Sequence, residues 1–212
     1  MYIPKHFQDN DQQSLFNTIR QIQTANLVTQ HPSGLIATYL PLYLEETEGK
    51  QGTLYGHIAK ANSQWQQSLT NTEALAIFTG PDAYITPSWY PSKQIHHKEV
   101  PTWNYIAVHT YGTIEFIEEP NTLLDIVTKL TNANEKNRQQ PWQVKDAPQD
   151  YIQTMLKAII GVKITITKIE GKRKLSQNKT ADNQQGVIQG LTNSEKATDK
   201  ALAKLMQNKL HS

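Results

Sequence analysis

The sequence has no cysteine among its 212 residues. A chain without cysteine forms no disulfide, no thiolate zinc site and no cysteine nucleophile. It also has no uninterrupted apolar run of about 18 residues, the length that a membrane-spanning helix needs. The first residues contain no apolar stretch of the kind found in signal peptides. We therefore expect a cytoplasmic protein with no membrane partner.

Several motifs of catalysis and nucleotide binding are also missing. The sequence contains neither a G-x-G-x-x-G nor a P-loop pattern, which gives no support to a Rossmann or P-loop nucleotide site. It has no G-x-S-x-G nucleophile elbow. The adjacent His96 and His97 lack a third ligand at suitable spacing, so we predict a solvated loop over residues 91–101 and no metal site.

The sequence has no large excess of either charge, because it contains 21 basic and 19 acidic residues and its formal net charge is +2. This balance is not typical of a chain that mainly neutralises nucleic-acid phosphates. Two local basic segments are still candidates for DNA contact: residues 168–179, and the helically spaced Lys196, Lys200 and Lys204. The favoured interpretation of both is a solvated face, and no helix-turn-helix pattern adjoins them.

The apolar pattern places strands first and helices later. Residues 11–22 predict an amphipathic helix and residues 25–40 a β-hairpin. Further strands are predicted over residues 53–61, 74–79, 84–90 and 103–117. A helix follows Pro120, and a second one carries Tyr151 to Ile159 with Gly161 as its C-terminal stop.

A last strand is predicted over residues 162–169, a polar basic segment over 171–183, and a helical tail over 192–209. Because long helices do not alternate with the strands, the pattern does not favour a doubly wound parallel sheet. The pattern instead favours an α+β, mainly β chain: a small antiparallel barrel with peripheral helices. We expect one main domain over residues 1–185 and a C-terminal helical tail over residues 186–212.

Residues 78–112 have the most unusual composition, with two tryptophans, several tyrosines and four prolines. Tryptophan and tyrosine combine a flat apolar face with a polar edge, which suits a planar aromatic ligand or a partner surface. The fixed backbone of proline holds such rings in place. The segment therefore predicts a binding surface on a β scaffold.

Five ordered blocks of the sequence resemble the PaiB family of protease-synthase and sporulation negative regulators. The blocks are residues 1–7, 56–65, 78–90, 100–112 and 174–179. They include His57-Ile58-Ala59-Lys60, Thr86-Pro87-Ser88-Trp89-Tyr90 and Val100-Pro101-Thr102-Trp103-Asn104-Tyr105. Lys60 stands where the family commonly has arginine and Ser63 where it commonly has proline. Lysine keeps the charge but lacks the bidentate fork of arginine.

The resemblance implies a split β-barrel of the FMN-binding, pyridoxamine-phosphate-oxidase-like type. It further implies a homodimer with the flavin in a cleft at the dimer interface, and a role as a negative transcriptional regulator, for which DNA is a candidate partner. It does not imply a defined reaction, so the enzyme question stays open. The alternatives are a flavin-dependent oxidoreductase or flavin reductase-like enzyme, and a binding module that has lost its ligand.

The end of one predicted strand offers candidates for the FMN phosphate. A phosphate needs cationic or N–H donors, because a doubly charged group is costly to desolvate alone. His57, Lys60 and Asn62 supply such groups within six residues. Spacing alone favours a solvated strand end, and the resemblance shifts the interpretation to phosphate binding.

The isoalloxazine ring needs a flat partner and polar contacts at its pyrimidine edge. Trp89 and Trp103 offer stacking faces, with Tyr105 beside the second, and hydrogen bonds are available from Ser88, Thr102 and Asn104. The competing interpretation is that both tryptophans are core or dimer-interface anchors. The sequence does not separate these alternatives.

Overall fold

The computed structural model describes residues 1–68 and 72–210. Its strands are β1 (Gln8–Asp9), β2 (Thr24–His31), β3 (Gly34–Glu45), β4 (Thr53–Ala59), β5 (Glu73–Ile85), β6 (Thr102–Ile117) and β7 (Ile159–Lys174). Its α-helices are α1 (Gln12–Ile22), α2 (Gln64–Gln67), α3 (Ser92–His96), α4 (Pro120–Glu135), α5 (Gln149–Leu156), α6 (Ala181–Thr192) and α7 (Ala197–Leu210). No helix of these residues has both the length and the apolar character needed to cross a membrane.

The strands form one sheet in the order β1-β7-β4-β3-β2-β5-β6, and an additional pairing of β7 with β6 closes it. Closure satisfies the backbone groups that an open sheet leaves at its edges. The neighbouring pairs with a defined register, such as β2 with β3 and β4 with β7, are antiparallel. The predicted α+β, mainly β split barrel with peripheral helices is therefore confirmed.

The hairpin of β2 and β3 illustrates how the sequence directs the barrel. The pairing runs from Thr24 opposite Pro41 to His31 opposite Gly34. Gly34 has a φ of +124°, which residues with a side chain rarely adopt, so glycine is required where β3 begins. The predicted hairpin is confirmed, and both of its strands are longer than their apolar segments indicated.

The chain divides into two compact units. The first, called here the barrel unit, comprises residues 12–78 and 109–169. Its fully buried side chains include Leu27, Leu54, Phe78, Ile160 and Ile164. The second, called the terminal unit, comprises residues 1–11, 79–108 and 170–212.

The terminal unit has a hydrophobic core of its own. Residues before and within β6 pack there with the last two helices, and the cluster includes Tyr90, Ile106, Val187, Leu191 and Leu202. The predicted boundary at residue 185 falls within α6. Residues 211–212 of the predicted tail lie outside the described part of the chain.

Gly161 corrects one prediction, because it lies inside β7 and does not end a helix. Helix α5 ends at Leu156, and the strand begins at Ile159. A Cβ at Gly161 would lie 3.0 Å from side-chain atoms of both Leu123 and Ile126 in α4. The glycine therefore allows α4 to approach the sheet closely, a packing requirement that resembles a helix stop in the sequence.

Two further predictions were wrong, those of a strand over residues 84–90 and of a loop over residues 91–101, and the predicted strand 162–169 is part of the longer β7. The predicted strand over residues 84–90 is the end of β5 followed by a single 3-10 turn, Pro87–Trp89, at which the Thr86 hydroxyl accepts from the Ser88 amide. Helix α3 lies in the predicted loop 91–101. The polar segment 171–183 holds the end of β7 and the start of α6, which Thr180 caps through the amide of Asn183.

Candidate functional site

The first predicted site residue, His57, lies on β4 in the barrel unit. It is half-buried and faces Gly161 of β7 in the strand register. Burial lowers the pKa of His57, so the imidazole is neutral at neutral pH. Its buried Nδ1 has no hydrogen-bond partner among the described residues. A neutral ring still carries one N–H, so His57 offers a polar contact but no positive charge.

Lys60 follows β4 and is held by a carboxylate. Its Nζ lies 3.0 Å from Oε2 of Glu118, and the two side chains are 49% and 55% exposed. An ion pair that exposed is worth only about 0–1 kcal/mol. A phosphate at Lys60 would have to displace Glu118 or share the ammonium group with it.

Asn62 uses both ends of its amide to hold the loop after β4. Its Nδ2 donates to Oγ1 of Thr38 at 2.9 Å, and its Oδ1 accepts from the Gln64 amide at 2.9 Å. The indole of Trp65 donates to the carbonyl of Lys60 at 2.9 Å in the same loop. The structure thus places His57, Lys60 and Asn62 near one strand end, and their role with phosphate stays a prediction.

Trp89 packs inside the terminal unit against two glycines of α6. A Cβ on Gly190 would lie 2.3 Å from the Trp89 ring, and a Cβ on Gly186 would lie 2.1 Å from the Trp89 carbonyl oxygen. The ring therefore rests directly on helix backbone. Ser88 beside it is exposed. This geometry favours the interpretation of Trp89 as a packing anchor.

Trp103 has a different environment, although it is also in the terminal unit. It is 53% exposed, and Tyr84 next to it is 49% exposed. The two rings meet edge to face, with centroids 5.9 Å apart. Because alternate residues of a strand share a face, Tyr105 lies on the same side of β6 as Trp103. An exposed aromatic surface of this kind suits a planar ligand.

Two lysines of β7 adjoin these rings. Nζ of Lys172 lies 5.0 Å from the centroid of the Tyr105 ring, and Nζ of Lys174 donates to Oγ1 of Thr102. Burial lowers the pKa of Lys174; the nearby Tyr105 opposes this shift, and the charge of Lys172 adds to it. We call this set the aromatic–lysine face; it comprises Tyr84, Trp103, Tyr105, Lys172 and Lys174, and Thr102 joins it at the edge through its hydrogen bond with Lys174.

Asn104 does not belong to that exposed face. Its side chain is completely buried, and its Nδ2 donates to Oγ of Ser176 at 2.8 Å. Its Oδ1 has no partner among the described residues. Asn104 therefore ties β6 to the segment that follows β7, and a direct hydrogen bond to a flavin stays a prediction.

The block of residues 174–179 contains Lys174, a candidate ligand-binding residue that the sequence analysis did not single out. Lys174 opens this block, but residues 168–179 were interpreted only as a basic segment. Gln177 has a structural task, since its side chain accepts from the Leu175 amide at 2.6 Å and donates to the Arg173 carbonyl at 2.5 Å. The block resemblance was the one signal that pointed to Lys174.

The other candidates give no metal site in the part of the chain that the structure describes. No group of three or more histidine, aspartate or glutamate side chains there is arranged to hold a metal ion. His96 ends α3, and its Nδ1 accepts from the Lys98 amide at 3.1 Å. Lys196, Lys200 and Lys204 are all exposed, the last two one turn apart on α7.

Comparisons with known proteins agree with this architecture. Residues 1–168 match the family described as "Putative FMN-binding domain". The chain is 34% identical over 210 residues to protease synthase and sporulation protein PAI 2 of Bacillus subtilis, which covers 99% of this chain and 98% of that protein.

Two solved structures share the fold at low sequence identity. The flavocytochrome Anf3 of Azotobacter vinelandii has a TM-score of 0.57 at 12% identity and covers 81% of this chain and 72% of its own. A conserved hypothetical protein of Mycobacterium tuberculosis has a TM-score of 0.59 at 12% identity and covers 85% of this chain and 94% of its own. At such identities the likeness shows the fold alone. From the family match and the bacillary relative together, the chain belongs to the PaiB family of FMN-binding split-barrel proteins.

Proposed function

We propose that this protein binds FMN as a cytoplasmic homodimer and acts as a negative transcriptional regulator of the PaiB type. The observation that carries the proposal is the 34% sequence identity to the PAI 2 protein, in an alignment that covers 99% of the chain. That alignment includes the part of the terminal unit that follows residue 168, and residue 168 is where the match to the FMN-binding family ends. The whole chain, and not its barrel alone, is therefore what the two proteins have in common.

The chemistry of the chain fits FMN. The aromatic–lysine face offers exposed rings beside two ammonium groups, which suits a planar ring that carries a phosphate. His57, in the barrel unit, is a separate candidate whose buried ring nitrogen Nδ1 has no partner among the described residues. Bound FMN supplies one- and two-electron redox chemistry, whereas the protein supplies binding, orientation and electrostatics.

DNA contact is assigned in this proposal to the exposed row of Lys196, Lys200 and Lys204. Among the described residues, no carboxylate pairs with any of these three lysines within 4 Å. Lysines one helical turn apart point in the same direction and can follow a phosphate backbone. Changing Lys200 and Lys204 to glutamine should therefore weaken DNA binding and reduce its dependence on salt.

The second candidate function is a flavin-dependent oxidoreductase. It is favoured by the fold shared with a protein named as a flavocytochrome. Two measurements on one purified sample separate the candidates. Salt-dependent enrichment of particular fragments from sheared genomic DNA supports the regulator. Oxidation of a reduced nicotinamide that requires added FMN, without such enrichment, supports the oxidoreductase.

Flavin binding itself is tested first. A concentrated sample of the purified protein should absorb between about 350 and 500 nm, or should quench FMN fluorescence on titration, as flavoproteins do. Sedimentation in the same buffer tests the homodimer. A monomer that neither retains nor quenches FMN would contradict the proposal.

A further inference from the structure

The basic side chains near the end of β7 differ in whether an acid neutralises them. Arg173 pairs with Asp9 at 2.7 Å, and Lys179 pairs with Glu99. Lys172 and Lys174 have no carboxylate within 4 Å among the residues that the structure describes. The terminal unit therefore keeps two uncompensated positive charges on a single strand.

These two charges lie on the same face of β7, because they are two residues apart on a strand. Both side chains are half-buried. Like charges close together repel each other, more so where water is partly excluded. An anion of charge −2 bound between the ammonium groups would remove this repulsion and form charge-assisted hydrogen bonds with both.

Thr102 completes the set of donors. Its hydroxyl oxygen accepts the hydrogen bond from Lys174. A hydroxyl group also has one proton to donate, and Thr102 donates it to no other described residue. Thr102 can therefore present that proton to a phosphate oxygen held by Lys174.

The aromatic members of the face specify what the anion carries. The ring of Tyr105 lies under Nζ of Lys172, and the exposed Trp103, which contacts Tyr84, lies on the same side of β6 as Tyr105. Free inorganic phosphate gains nothing from exposed rings, whereas a phosphate monoester with a planar ring contacts both parts. The ligand class indicated is a mononucleotide-like phosphate ester.

We propose that Lys172, Lys174 and Thr102 bind the phosphate of FMN, with Trp103 and Tyr84 against its ring, and that Lys60 does not hold this phosphate. This inference rests on the proposed function, namely that the protein binds FMN. Lys60 has Glu118 as its partner at 3.0 Å, whereas the lysines of the aromatic–lysine face have no acidic partner in the described part of the chain.

Comparison of FMN with riboflavin, which lacks the phosphate, isolates the proposed contact. Dissociation constants of both are measured by fluorescence quenching for the wild type, Lys172→Gln, Lys174→Gln and the double variant. Each single change should weaken FMN binding about tenfold, as expected for one charge-assisted hydrogen bond, and the double change about a hundredfold. Riboflavin binding should change less than threefold in every variant.

Two matched controls replace lysines outside the face. Lys168→Gln removes a lysine of the same strand that lies 4.7 Å from the centroid of a different tyrosine ring, that of Tyr111, in the barrel unit. Lys60→Gln removes the ammonium group that is the alternative candidate for binding the FMN phosphate. Both controls should bind FMN within threefold of the wild type, and circular dichroism confirms that every variant is folded.

The possible outcomes separate the two proposals. Wild-type protein that binds neither FMN nor riboflavin overturns the proposed function, and the inference with it. FMN binding that is lost in Lys60→Gln and kept in the double variant overturns the inference alone. Equal losses of FMN and riboflavin in Lys174→Gln also overturn it, since they would mean a structural role. A loss of FMN alone in the face variants supports it.

Discussion

The two tryptophans of residues 78–112 should respond to truncation in opposite ways. Trp103 is 53% exposed and meets the ring of Tyr84 edge to face, so Trp103→Ala should change the free energy of unfolding by less than about 1 kcal/mol. If Trp103 stacks on the flavin, the loss in binding is that of one aromatic–ring contact, about 1–3 kcal/mol. That range corresponds to roughly a fivefold to 150-fold rise in the dissociation constant of FMN.

Trp89→Ala should instead destabilise the protein and leave flavin binding intact. The ring rests on α6 at Gly190, and its removal leaves a cavity there. Truncation of a packed tryptophan costs about 3 kcal/mol, a large part of the 5–15 kcal/mol that stabilises a typical domain. Under conditions where the variant is folded, its dissociation constant for FMN should lie within about threefold of the wild type.

Urea unfolding and FMN fluorescence titration of both variants measure these quantities separately. The urea concentration at the unfolding midpoint should fall for Trp89→Ala and stay nearly constant for Trp103→Ala. The dependence of the free energy of unfolding on urea concentration should be similar in both variants. The reasoning would be refuted by a Trp89→Ala protein of normal stability that fails to bind FMN. It would equally be refuted by a Trp103→Ala protein that binds FMN as the wild type does.

Three further predictions concern the barrel unit. Gly112→Ala should cost about 2–3 kcal/mol in urea unfolding, because the new Cβ would lie 2.3 Å from the backbone oxygen of Thr165, and a neutral result would contradict the packing. Burial lowers the pKa of His57, so the unfolded chain takes up this proton first and stability falls as the pH drops below about 6.5. His57→Gln should reduce that loss between pH 7 and pH 5, and an unchanged pH dependence would count against it. Lys60→Ala should alter stability by less than about 1 kcal/mol, since its pair with Glu118 is exposed, and a larger loss would show that the pair is structural.

The barrel could be predicted from the sequence because its signals are local. Alternation of apolar residues marks strands such as β4 and β6, and a turn with glycine joins β2 to β3. Gly161 was misread for the opposite reason. A glycine is needed at this position because α4 packs closely against the sheet. The side chains that leave no room for a Cβ, those of Leu123 and Ile126, lie more than 30 positions earlier in the chain.

The site was only partly predictable, and the two tryptophans show why. Trp89 and Trp103 have similar neighbours, since each follows a proline and a small hydroxyl residue. What separates them is the cover provided by α6, which contributes Gly186 and Gly190 about 100 residues later. A local pattern indicates that a ring is present but does not indicate whether another element covers it.

The basic segment 168–179 shows the same limit for charge and also bears on its ligand. In the sequence its basic residues resemble a DNA-binding patch. In the structure those within β7 lie on different sides of the strand, and some of the basic residues are paired with carboxylates. Arg173 pairs with Asp9 and Lys179 with Glu99, whereas Lys172 and Lys174, at the end of β7, have no carboxylate partner among residues 1–68 and 72–210. A DNA duplex presents a row of phosphates and is bound by many cations, whereas a single phosphate ester needs a few convergent donors. Two adjacent ammonium groups, a hydroxyl group and exposed rings therefore fit a mononucleotide-like ligand better than a nucleic-acid backbone. The Lys172→Gln and Lys174→Gln variants should therefore leave the proposed DNA contact of α7 unchanged at saturating flavin.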